Sequence, residues 1–248
     1  MSPETPLDVS GLTVTYGKST ILDGVDLAVR AGEIFGLIGL NGVGKTTLIK
    51  TILDLVRPKS GAIRLFGEDH RRPASRQALA YLPEKFTPSP RLRGWEFLSL
   101  SLSYFKVALD CDAAVAMAQG FGFDERALNR AVGTYSKGMG QKIGLISTFL
   151  AARPLLILDE PMSGLDPQAR QQLKEHLLAY RAAGNTIFFS SHILADMDEI
   201  CDSVAVLDGG KIRFFGTPAE MKERDGAPLL ERAFMHIIEG RGDRTTGG

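Results

Sequence analysis

The sequence predicts an α/β fold built around a phosphate-binding loop, and three observations carry that prediction. Residues 39–46 read Gly-Leu-Asn-Gly-Val-Gly-Lys-Thr and fit the pattern G-x-x-x-x-G-K-[ST] at every fixed position. Residues 155–161, Leu-Leu-Ile-Leu-Asp-Glu-Pro, read as a short apolar strand ending in two carboxylates. From Leu155 to about Leu207, apolar strand-like runs alternate with helical patterns, the rhythm of a parallel sheet with crossover helices.

The elements follow in chain order. From Leu7 to about Leu65, β-branched and apolar stretches alternate with turns at Gly11, Gly17, Gly24, Gly32 and Gly61. Residues 13–16 and 21–29 read as strands of an antiparallel sheet flanking the ligand. Residues 34–38 form a buried strand and residues 47–53 a helix, so the glycine-rich loop has the strand-loop-helix context its chemistry needs. The Pro-rich stretch 83–90 marks a boundary. Beyond it, Trp95, Leu98, Leu102, Phe105 and Leu109 recur at helical spacing. Leu98, Leu100, Leu102 and Tyr104 also alternate, but the length of the segment favours a helix. Asp112 or Asp124 is expected to cap the helices that follow. Residues 203–207 and 211–215, joined by Asp208-Gly209-Gly210, read as a hairpin. Residues 229–238 are apolar on one helical face, expected to pack on the protein's own core. Residues 241–248 are expected to be disordered, and their Arg241-Gly242-Asp243 triplet is read as coincidence.

The chemistry of the motifs is specific. Glycines let the backbone curl so that successive N–H groups face phosphate oxygens, and a helix N-terminus adds partial positive charge. Lys45 is placed to reach the β- and γ-phosphates, and the Thr46 hydroxyl to bind Mg²⁺. Strands of an open α/β sheet present their C-terminal ends to a ligand. Asp159 then holds Mg²⁺ through a water, and Glu160 accepts a proton from an attacking water. A single strand-terminal acid often only caps the next helix; two in a row after such a loop favour catalysis. Residues 135–142, Tyr-Ser-Lys-Gly-Met-Gly-Gln-Lys, are a second helix start with a hydroxyl and open N–H groups. His192 ends a strand beside the other motifs, whereas His70, His176 and His236 have no such context and read as surface or packing residues.

Together these residues resemble the ATP-binding subunits of ABC transporters, in the export-type branch with a separate permease. The resemblance covers about Leu7 to Gly240, and the usual Leu-Ser-Gly-Gly-Gln signature stands here as Tyr135-Ser136-Lys137-Gly138-Met139. It implies a P-loop NTPase fold with a RecA-like core, an N-terminal antiparallel β-subdomain and an inserted α-helical signature subdomain. Residues 1–240 then form the ATPase domain: 1–85 and 151–225 the β-subdomain and core, 86–150 the helical part, and 226–240 a C-terminal helix. The implied ATP contacts are Tyr16 on adenine, then Gly39, Asn41, Gly42, Val43, Gly44, Lys45, Thr46 and Thr47, with Ser136 and Gly138 contributed by a second subunit. Asp166 belongs to the loop that links the two ATP sites of a head-to-tail dimer. Catalysis falls to Glu160, His192 and Lys45, and the metal shell to Thr46, Asp159 and Glu84. Glu84 departs from the family, which usually has Gln there; its carboxylate adds negative charge beside a polyphosphate, and a role in contact with the permease is favoured.

The whole chain is consistent with that reading. It has 248 residues, 44% hydrophobic, with 29 basic and 29 acidic side chains. Zero net charge argues against nucleic-acid or anionic-membrane binding. Cys111 and Cys201 lack metal-ligand spacing and, with no signal peptide visible, read as reduced cytosolic thiols. No uncharged apolar run reaches the ~18 residues of a membrane span. The expected partners are a transmembrane permease and a second ATPase chain, at the inner face of the cell membrane. The rival reading is a soluble ABC ATPase that moves no solute, for example in cofactor assembly. A P-loop kinase or GTPase is disfavoured by the signature and the Asp-Glu pair.

Overall fold

The computed structural model describes residues 5–224 and 226–240; the expected disordered tail at 241–248 and its Arg241-Gly242-Asp243 triplet lie outside them. Two sheets organise the chain. Strands β1 (Leu7–Tyr16), β2 (Ser19–Val29), β4 (Ser60–Leu65) and β5 (Glu68–Asp69) form an antiparallel sheet in the order β2-β1-β4-β5. Strands β3 (Ile34–Ile38), β6 (Leu79–Leu82), β7 (Leu155–Asp159), β8 (Thr186–Ser191), β9 (Ser203–Asp208) and β10 (Lys211–Gly216) form the second, ordered β10-β9-β3-β8-β7-β6. Within it β9, β3, β8, β7 and β6 run parallel, and β10 returns antiparallel along β9 as the expected hairpin.

The period-2 alternation of strand side chains divides the core between the two faces of this second sheet. Phe35, Leu37, Leu155, Ile157 and Phe188 pack toward the antiparallel sheet and helix α1 (Lys45–Ile52). Ile34, Ile38, Leu156, Leu158, Ile187 and Phe189 pack on the opposite face. That face meets helices α5 (Lys137–Leu150), α6 (Pro167–Ala182), α7 (Leu194–Ile200) and α9 (Leu230–Glu239). Being covered on both sides, β3, β7 and β8 are buried at every position, which is why they read as continuous apolar runs.

Short helices complete the chain: α2 (Pro73–Arg76), α3 (Gly94–Tyr104), α4 (Cys111–Gly120) and α8 (Pro218–Arg224). Helix α3 buries Phe97, Leu98 and Leu102. It stops short of Leu109, because Lys106 turns into the left-handed region at φ 57°. The cap of α4 is Asp110 rather than the expected Asp112: Asp110 accepts from Asp112 N at 2.9 Å and Ala113 N at 3.1 Å. An aspartate two residues ahead of the first free N–H has the reach a cap needs, and Asp112 lies already inside the first turn. Asp124 does act as expected, accepting from Arg126 N at the start of a 3₁₀ turn. Helix α9 buries Leu230, Ala233 and Phe234 against its own core.

Candidate active site

The glycine-rich loop leaves β3 and enters α1 with glycines where other residues are strained or excluded. Gly42 and Gly44 have φ of 83° and 114°, in the half of the map that side chains avoid. A Cβ on Gly39 would sit 2.7 Å from the Leu207 carbonyl oxygen, so glycine lets the loop start tight against β9. Val43 packs on the antiparallel-sheet core and pins the loop from below. No side chain caps the α1 N-terminus, so its first N–H groups stay open to an anion. Above them lies a cavity of about 450 Å³, lined by Ile21, Leu40, Asn41, Gly42, Gly44, Lys45, Thr46, Thr47, Glu84 and Glu160. A larger concavity of about 850 Å³ runs beside β4 and β5. It lies away from the strand ends that carry the paired acids, so the chemistry belongs to the smaller one.

The C-terminal ends of β7 and β8 supply a bonded set of side chains. Asp159 is buried, with Oδ2 accepting from Thr46 Oγ1 at 2.9 Å and Oδ1 accepting from Ser190 Oγ at 2.6 Å. Glu160 follows with φ of 50°, a left-handed conformation that costs energy in a non-glycine residue and turns its side chain off the strand. Its Oε2 lies 2.7 Å from His192 Nδ1, and its Oε1 lies 3.2 Å from Lys45 Nζ. That ammonium also donates to the Gly39 carbonyl at 2.7 Å. Lys45 is buried, so the loop carbonyl and the Glu160 carboxylate compensate its lost hydration. Glu84 is exposed on the cavity rim. The negative charges of Asp159 and Glu84 act with burial, the larger cause, to push the Tyr81 phenol up to about 12.

Of the residues expected at the ligand, Gly39 and Val43 adjoin the cavity through the loop, Asp159 through Thr46 and His192 through Glu160, without lining it, and Tyr16, Ser136, Gly138 and Asp166 stand further apart. Tyr16 ends β1 half exposed and does not line it. Ser136 is the N-cap of α5, accepting from Met139 N at 3.2 Å. Gly138, two residues on, approaches the 160–166 loop: a Cβ there would sit 3.3 Å from Gly164 O. Asp166 caps α6, accepting from Ala169 N at 2.8 Å, and that bond holds its carboxyl below the usual range. None of Ser136, Gly138 and Asp166 lines the cavity above the P-loop of the same chain.

The loop, the Asp-Glu pair and the signature helix stand here in one chain order on one sheet, and comparison with known proteins agrees. The sequence profile described as ABC transporter matches residues 22–163. The chain belongs to the ABC transporter family. An ABC transporter ATP-binding protein of Synechocystis sp. is 39% identical over 84% of this chain. The daunorubicin/doxorubicin resistance ATP-binding protein DrrA of Streptomyces peucetius is 32% identical over 97% of this chain and 74% of its own length. The chain spans 60% of the Synechocystis relative and 62% of a similar Nostoc protein. A solved structure of an ATP-binding subunit of an ABC transporter superposes with a TM-score of 0.86 at 33% identity, covering 94% of this chain and 99% of that one. A nucleotide-free ATP-binding cassette, 19% identical with a TM-score of 0.76, shares the fold.

Two residues that join the site carry no role in the sequence reading. Ser190 bonds both Asp159 and the Glu160 backbone. Gln141 donates from Nε2 to the Pro161 carbonyl at 3.1 Å, tying the signature helix to the loop after Glu160. Both lie inside motifs already legible in the sequence. Their partners, 20 and 31 residues away, emerge only from the strand order and helix packing.

Proposed function

We propose that this chain is the ATP-hydrolysing subunit of an export-type ABC transporter, working at the inner face of the cell membrane with a separate permease. The observation that carries the reading is the joined set Lys45–Glu160–His192 and Thr46–Asp159 above the open α1 N-terminus. The export-type relatives support the direction of transport. No helix among the described residues is long and apolar enough to cross a membrane, so a separate permease fits.

In this reading ATP lies along residues 39–47, with its phosphates on Gly39, Asn41, Gly42, Val43, Gly44, Lys45, Thr46 and Thr47 and its base on Tyr16. Thr46 and Asp159 offer hard oxygen donors side by side, which suits Mg²⁺. Among the described residues no cluster of three or more His, Cys, Asp or Glu side chains is ready for a metal. Thr46 and Asp159 would hold Mg²⁺, with water and phosphate oxygens completing the shell it prefers. When bound, Mg²⁺ neutralises charge on the β- and γ-phosphates. Glu160 accepts the proton of the attacking water, His192 orients the Glu160 carboxylate, and Lys45 meets the charge growing on the phosphates. Ser136 and Gly138 of a second ATPase chain close the site in a head-to-tail dimer, and Asp166 lies in the loop between the paired sites. The 86–150 helical part and Glu84 face the permease.

Lys45→Ala tests the site. Losing charge-assisted contacts worth about 1.5–3 kcal/mol each should weaken binding of labelled ATP at least about 100-fold. Binding within a few-fold of wild type in the folded variant contradicts the assignment. The rival reading, a soluble ABC ATPase without transport, is separated by co-purification. A multi-span membrane protein in the native complex supports transport, and a purely soluble set of partners opposes it.

A further inference from the structure

We propose that Ser190 is a positioning residue for the metal-nucleotide complex: its hydroxyl sets the Asp159 carboxylate and anchors the backbone turn that presents Glu160. The proposal rests on reading Thr46 and Asp159 as the metal residues. Strands β7 and β8 pair in parallel with Asp159 opposite Ser190, and registered neighbours in a sheet share a face. The pairing therefore brings a small hydroxyl beside the carboxylate at the strand ends, where the ligand cavity opens.

The hydrogen bonds make Ser190 a relay between the two acids. Its single O–H donates to Asp159 Oδ1 at 2.6 Å, the short distance of a bond to a charged acceptor. The same oxygen accepts from Glu160 N at 3.0 Å, and the Ser190 carbonyl accepts from that N–H at 3.2 Å. Glu160 is in the left-handed region at φ 50°, and this forked pair of acceptors is what its turned N–H meets. Ser190 is fully buried, so no water replaces the bond if the hydroxyl is removed.

The two oxygens of Asp159 have separate tasks. Oδ2 faces the Thr46 hydroxyl, and Oδ1 faces Ser190. A Thr46 hydroxyl that ligates a metal does so through an oxygen lone pair and can still donate its proton to Oδ2. The Ser190 bond is the second hydrogen bond that holds the plane of the carboxylate, on the oxygen that Thr46 does not reach. Without it Asp159 can rotate, and a buried carboxylate oxygen loses its donor. An alanine at position 190 fills most of the same space and removes only the relay.

The experiment measures binding of a fluorescent ATP analogue to the full chain at stepped Mg²⁺ concentrations, with EDTA as the metal-free baseline. The proteins are wild type, Ser190→Ala, Ser190→Thr and Asp159→Asn, each checked by thermal melting. Partners of metal-shell residues typically carry 10–100-fold in metal affinity, so Ser190→Ala should raise the Mg²⁺ needed for half-maximal binding by about that factor. The EDTA baseline stays unchanged, and Ser190→Thr, which keeps the hydroxyl, behaves as wild type. A residue that merely fills the core would shift melting without moving the Mg²⁺ midpoint. A folded Ser190→Ala protein with the wild-type midpoint, alongside a shifted Asp159→Asn, overturns the proposal alone. If Asp159→Asn also keeps the wild-type midpoint, the metal reading of Asp159 falls and takes the proposal with it. Should Ser190→Ala fail to fold, the near-isosteric Ser190→Cys, a weak donor, decides: a folded protein whose Mg²⁺ midpoint rises about tenfold or more supports the relay, and one with the wild-type midpoint overturns it.

Discussion

Glu160→Gln separates nucleotide capture from hydrolysis, and the structure gives the expected size of each effect. Both Glu160 oxygens are engaged by side chains, one by His192 at 2.7 Å and one by Lys45 at 3.2 Å. Glutamine keeps the volume and removes the charge. Unit charges 3.2 Å apart attract by about 5 kcal/mol at an effective dielectric of about 20, before desolvation is counted. That attraction competes with the phosphates for the Lys45 ammonium, so its loss leaves ATP binding as tight as in wild type or tighter. Hydrolysis loses its proton acceptor. A general base contributes about 10²–10⁴-fold, or about 2.7–5.4 kcal/mol of barrier at 1.36 kcal/mol per decade. The assay pairs equilibrium binding of labelled ATP with single-turnover phosphate release, and size measurement with ATP reports whether a dimer accumulates. Hydrolysis within about tenfold of wild type would move the base away from Glu160, and a large loss of ATP binding would refute the charge argument.

Ser136→Arg should block hydrolysis while leaving ATP capture by the same chain's P-loop intact, because Ser136 caps α5 away from that cavity; lost binding in an isolated folded subunit would contradict a composite site. Glu84→Gln should leave ATPase activity and Mg²⁺ dependence of the isolated subunit nearly unchanged while lowering permease-stimulated activity; a large shift in the Mg²⁺ optimum with coupling preserved reverses that assignment. His176 stacks on Phe121 at 4.3 Å, and burial lowers its affinity for a proton below the usual 6.5. The unfolded chain then binds more protons as pH falls below 6.5, so this residue makes stability decline on acidification through that value toward its folded midpoint. An NMR titration of the imidazole should give a midpoint under 6.5, and one at or above it refutes the burial argument.

Much of the architecture is written in local pattern. The strands β3, β7 and β8 coincide with apolar runs that end in chemistry, and the phosphate loop sits between its predicted strand and helix. Local pattern fails where a boundary depends on one turn. Leu109 carries the helical period past the end of α3, yet Lys106 breaks the chain direction first. Asp112 has the right chemistry for a cap, and Asp110 has the right place. The site is legible in its parts and not in its connections. His192 reads as functional from its strand end, but the bond to Glu160 needs β7 and β8 as neighbours. The same adjacency hides Ser190. Gln141 is hidden for another reason: its partner, the Pro161 carbonyl, is a backbone atom that carries no sequence signal.

On the proposed reading, the balance of charge around the cavity bears on Glu84, which stands where the family usually has an amide. Lys45 pairs with Glu160 and shares the cavity lining with Glu84, and Asp159 lies behind Thr46. A polyphosphate entering this field is opposed unless a divalent cation enters with it and the α1 N–H groups contribute their share. The carboxylates are not equal in that balance. Asp159 is 1% exposed and Glu160 7% exposed, so water screens them little. Glu84 is exposed on the rim, where solvent and salt damp its field. Removing its charge therefore changes the environment of the phosphates far less than removing that of Asp159. An exposed acid at the start of the Pro83–Pro90 stretch, joined to the cavity at one end and leading into the helical part at the other, is better placed to report the state of the nucleotide outward than to hold the metal.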